Sequence, residues 1–166
     1  MAALKSAFAA IARLTVIIAA VSLCVLVIVL AWQVFGRYVL NRSPSWTEPV
    51  ALTLMGVAAL FGAALAVRAE SHFSFPTLVE SAPPTIRALL KILSRLIALA
   101  FGIALAGFGG FLMIDSWNVP MAGAPFPEGV GHIGLAGGGA LIALFALERL
   151  IFGDPPNPHG AKPVEA

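Results

Sequence analysis

The side chains best able to do chemistry gather in one place. Residues 35–49, FGRYVLNRSPSWTEP, set Arg37, Asn41, Arg42, Ser45, Trp46 and Glu48 between two strongly apolar segments. Arginine beside carboxylate can pair internally or hold a partner. The other acids are Glu70, Glu80, Asp115, Glu128, Glu148, Asp154 and Glu165, and none lies in the middle of an apolar segment. A proton or ion pathway usually needs ionisable groups within the membrane, which disfavours a proton-coupled exporter. His72 and His132 fall at helix ends and His159 in the tail, so two haem ligands at one depth on facing helices are not available. The HExxH, CxxC, Walker and nucleophile-elbow patterns do not occur. Cys24 is single and lies in an apolar run, so it reads as a small buried hydrophobe. The chain alone implies no enzyme, cofactor or metal site.

These residues need elements to carry them, and composition decides which. The 166 residues are 60% hydrophobic and 11% charged, where a soluble domain is about a quarter charged. That balance defines an integral membrane protein, because a soluble domain of this size cannot hide so much apolar surface. A net charge of +2 is too small and too scattered for nucleic-acid binding. Lys5 and Arg13 give a basic start, but the apolar run from Leu14 to Ala31 is too long for a signal peptide and no A-x-A-like site follows. It reads as a first transmembrane helix.

The fold class is an all-α integral membrane protein with four transmembrane helices. A span takes roughly 20 helical residues, and lipid forces each span to be helical. The helices are expected at about 13–42, 47–68, 84–117 and 128–152, within one domain over 1–153, followed by a polar Pro-rich tail at 154–166. Lys5, Arg13, Arg68, Arg87, Lys91, Arg95, Arg149 and Lys162, eight of the ten basic residues, fall on one side. The positive-inside rule makes that side the cytoplasm, giving N-in/C-in topology. Pro83 and Pro84 suit the start of the third helix. Its basic first turns extend beyond the apolar part, close to anionic headgroups. Residues 71–80 alternate polar and apolar and are expected to lie at the cytoplasmic interface. Small residues recur at four-residue spacing at Ala58, Gly62 and Ala66, at Gly102, Ala106 and Gly110, and at Gly134 and Gly138. Such ridges allow close helix approach, within the bundle or against another subunit.

Pro44 ends the first helix by about Arg42. Ser45-Trp46-Thr47-Glu48 fits the capping box S-x-x-E, with Thr47 as a competing N-cap. Trp46 and Tyr38 are expected as headgroup-level anchors. Arg37 lies about one turn inside the helix end, where it would snorkel or pair, and Glu48 is the obvious partner. Whether the two pair within the chain or with another subunit stays open.

The run Gln33 to Asn41, then Ser45 to Glu48, then Gly62 to Arg68 with His72, resembles the small membrane subunit of tripartite ATP-independent periplasmic (TRAP) transporters. The ordered pattern covers roughly Trp32 to Pro84. It departs at Pro49, where relatives often carry a second acid. The resemblance implies a non-catalytic subunit in the bacterial inner membrane. Its partners would be a large elevator-type membrane subunit, a periplasmic substrate-binding protein and phospholipids. The transported species would be organic anions such as carboxylates, with the sodium sites on the large subunit. It also implies interface or structural roles for Arg37, Tyr38, Asn41, Ser45, Trp46, Glu48, Gly62, Arg68 and His72. A four-helix membrane anchor or adaptor of another complex, such as a redox enzyme, is the alternative.

Overall fold

A computed structural model describes residues 2–42, 44–69 and 83–153. The described residues form four long helices: α1 (Ala2–Tyr38), α2 (Thr47–Ala69), α3 (Pro84–Asp115) and α4 (Ile133–Phe152). All four are long and apolar enough to cross a membrane. Short 3-10 turns at Ser116–Asn118 and Glu128–His132 flank the connection between α3 and α4. The expected interfacial segment 71–80, His72 and the tail from 154 lie outside the described residues.

The boundaries follow local chemistry. α1 starts at Ala2, well before the apolar run, because its alanine-rich first turns are good helix formers. It ends at Tyr38, short of the expected 42. The Arg42 N–H donates to the Gly36 carbonyl at 2.9 Å, and Asn41 takes a left-handed φ of 47° between them. Asparagine tolerates that region better than most residues. Pro84 occupies the first turn of α3, as the sequence predicts. The last expected turn of α3 and the first expected turns of α4 are 3-10 rather than α-helical. α1 has 37 residues, about 55 Å of helix. It outruns about 30 Å of hydrocarbon and must tilt or protrude.

In packing order the helices run α1, α2, α4, α3, with α4 between α2 and α3. Glycines set both α4 seams. A Cβ on Gly134 would lie 2.7 Å from the Gly56 backbone, and one on Gly102 would lie 2.5 Å from the Ala143 nitrogen. Gly109 lies as closely against Ala136. Contact this close is how helices gain dispersion energy in lipid, where no hydrophobic drive exists between them.

α1 is apolar all round, yet its buried residues fall on a strict line. Phe8, Thr15, Ser22, Val29 and Gly36 are all buried, one per heptad, with Ala12 beside them. A seven-residue repeat is the seam of a left-handed helix pair. The Thr15 hydroxyl is satisfied by the Ile11 carbonyl at 2.9 Å, one turn back along the helix.

Candidate functional site

Polar side chains concentrate at the two ends of the bundle. At one end, α2 and α4 finish side by side. Arg68 Nε–H donates to Glu148 Oε2 at 2.8 Å and Nη2 donates to Oε1 at 3.0 Å. Glu148 is nearly sealed, its side chain 8% exposed against 26% for Arg68. The Arg68 guanidinium also lies 5.6 Å from the centroid of Phe145, which is fully buried. Arg149 Nε donates to the Arg68 carbonyl at 2.6 Å, filling an acceptor that the end of α2 leaves open. The start of α1 closes the same end. Phe8 meets Phe152 edge to face at 6.1 Å, and Lys5 Nζ stands 5.3 Å from the Phe152 ring.

Arg68 therefore spends its fork inside the chain. The sequence reading places Arg68 at this edge but does not single out Glu148 as its partner. The available signal is the spacing of Phe145, Glu148 and Phe152, which puts one carboxylate on an otherwise apolar helix stripe. α2 carries one base in its last turn, Arg68, to meet it.

At the opposite end, the turn formed by residues 39–42 and 44–46 meets the α3–α4 connection. The Ser45 hydroxyl donates to the Gly123 carbonyl at 3.0 Å. Gly123 has a φ of +83°, and a Cβ there would come within 2.7 Å of the Ser45 carbonyl oxygen. The connection is pinched by Met121 N–H to the Phe126 carbonyl at 3.0 Å and Glu128 N–H to the Val119 carbonyl at 2.8 Å. The capping box expected at Ser45 and Glu48 is replaced by this longer-range link. Thr47, fully buried, turns its hydroxyl back to the Pro44 carbonyl at 2.8 Å.

Arg37 and Glu48 do not pair with each other; both stand exposed. Gly36 faces the hairpin instead, close to the Arg42 carbonyl and Pro44. One residue further on is about 100° round the helix, which turns Arg37 away from the seam. Tyr38 and Trp46 are exposed at 77% and 39%, and Trp32 and Trp117 are exposed at the same end. Every tryptophan and the single tyrosine of the chain thus lie at the Ser45 end. Among the described residues, all bases except Arg37 and Arg42 lie towards the Arg68 end. A Cβ on Gly62 would meet open space, so Gly62 is not pressed by another of the described helices.

Four spans with aromatic side chains at one end and basic ones at the other define a multi-pass helical membrane protein, its polar groups serving the ends of the bundle. Over residues 26–153 the sequence matches the family described as Tripartite ATP-independent periplasmic transporters, DctQ component. The chain belongs to that family, the small membrane component of TRAP transporters. No individual curated protein matches it closely enough to be named.

Proposed function

We propose that the chain is the non-catalytic small subunit of a sodium-coupled TRAP transporter for organic anions such as carboxylates, in the bacterial inner membrane. It acts as a static scaffold beside the large elevator-type subunit, which carries the substrate and sodium sites. The observation that carries this reading is the packing of α4. It is gripped through backbone contact on both sides, at Gly134 and at Gly102, and tied at its end by the Arg68–Glu148 pair. A unit with discrete, close seams moves as one body, which suits a fixed support.

The Arg68 end faces the cytoplasm on this reading, because the bases cluster there. The Ser45 end then faces the periplasm. Arg37, Asn41, Trp46 and Glu48 are offered there to the large subunit or to the binding protein.

The test is sodium-driven uptake of an organic anion in proteoliposomes. Transport is expected only when this chain, the large subunit and the binding protein are all present. Full transport without this chain, or uptake by this chain alone, would overturn the proposal. A haem absorbance in the purified protein would move it to the redox-anchor reading.

A further inference from the structure

We propose that the outer face of α1 around Arg13 holds an anionic phospholipid, with its phosphate on the guanidinium and an acyl chain along Leu14 and Ile17. Ser6, Ala9, Ala10, Arg13, Leu14 and Ile17 line a shallow, open hollow of about 420 Å³ along one stripe of α1. At 3.6 residues per turn these residues lie opposite Phe8, Ala12 and Thr15, which are buried against the bundle. The hollow thus opens away from the other helices. Ala9 and Ala10 make its low floor, and Leu14 and Ile17, both 58% exposed, make an apolar wall.

Arg13 is exposed, and among the described residues no hydrogen bond or ion pair engages its side chain. It is the last charge before an uncharged run that reaches Gly36. It therefore stands where the hydrocarbon begins, at the depth of lipid phosphates. A guanidinium binds phosphate oxygens through its fork, and the hollow beneath suits hydrocarbon. A free inorganic anion would use the charge and leave the apolar wall bare. The family match begins at residue 26, so this face belongs to the part of α1 that precedes the matched region.

The test is native mass spectrometry of the full chain after delipidation, with phosphatidylglycerol or phosphatidylcholine of the same acyl composition added back. The wild type is expected to retain phosphatidylglycerol about five- to tenfold better, the effect of one well-placed cation at a membrane surface. Arg13→Gln should remove the preference. Ala9→Leu with Ala10→Leu should also remove it, by filling the hollow while keeping the charge. Because this face contacts no other helix among the described residues, both variants should melt like the wild type. Arg37→Gln, at the opposite end, should keep the preference. Equal retention of the two lipids by the wild type overturns the proposal. So does an unchanged preference in Arg13→Gln or in the filled-hollow variant, or a loss in Arg37→Gln as complete as in Arg13→Gln.

Discussion

Arg68 and Glu148 meet through both arms of the guanidinium, at 2.8 and 3.0 Å, across the adjoining ends of α2 and α4. The carboxylate is almost sealed from solvent. Removing Arg68 leaves a nearly sealed carboxylate without its counter-ion, which typically costs about 3–5 kcal/mol, and removing Glu148 costs less because Arg68 keeps some contact with solvent. Arg68→Gln should lower the melting temperature of the purified chain sharply, and Glu148→Gln should lower it by less. The double variant, which leaves no lone charge, should be less destabilised than either single one. Arg68→Lys should also lose stability, by about 1–3 kcal/mol, since an ammonium cannot reproduce the two-armed contact. Unchanged melting in both Gln variants would show that the pair is not sealed from solvent.

Glycines at the α4 seams and glycines on open faces should respond oppositely to added bulk. Gly134→Val and Gly102→Val place a side chain against backbone that cannot move aside, and overpacking of this kind costs about 1–3 kcal/mol or more. Gly62 has open space beside it, so Gly62→Leu should leave the isolated chain's melting temperature within a degree or two, the range of a neutral surface change of about 0.5 kcal/mol. If α2 offers that face to the large subunit, the same variant should lose co-purification with it. Normal co-purification of Gly62→Leu would remove Gly62 from the interface.

Ser45 and Gly123 tie two connections that are far apart in sequence. Ser45→Ala should cost about 0.5–1.5 kcal/mol, the net value of one hydrogen bond. Gly123→Ala should cost more, because it meets both a left-handed φ of +83° and the Ser45 carbonyl. Limited proteolysis from the Ser45 side of sealed vesicles is a direct readout. Gly123→Ala should be cut faster within residues 119–127, and equal cutting rates would show that the link does not order the loop.

What the sequence disclosed and what it hid have physical causes. The four spans were legible because lipid permits only helices, and the required length of apolar residues is fixed by bilayer thickness. Pro84 at the start of α3 was legible for a local reason, its missing N–H. The buried line on α1 was marked only by Thr15 and Ser22, seven residues apart, because Leu, Ile and Val surround it on every other side and give the helix no distinct apolar face. Ser45 offered a local capping partner, and a contact 78 residues away took its hydroxyl instead. Glu148 was visible as an acid, but its pairing depends on α2 and α4 finishing side by side, which apolar length alone does not specify. Gly134 and Gly138 stood out by spacing and do face α2; Gly62 had the same spacing and faces open space.

Arg37 and Glu48 offer the sharpest test of what the Ser45 end is for. They carry opposite charges on neighbouring helix ends, yet they are exposed and make no ion pair among the described residues. Arg37 lies in the last turn of α1 and Glu48 in the first turn of α2, where each complements its helix dipole, so Arg37→Glu and Glu48→Arg should each cost the isolated chain only about 0.5–2 kcal/mol. If the charges serve assembly, each reversal should weaken binding of the large subunit or the binding protein, because a like charge across an interface is strongly unfavourable. Combining the two reversals should not restore assembly, since each residue would then face a different group on the partner. Rescue by the double reversal would mean that Arg37 and Glu48 pair with each other in the assembled transporter. Measuring melting of the chain alone beside co-purification of the complex separates these outcomes, and a loss well beyond that helix-end effect in the isolated single variants would contradict the exposed geometry itself.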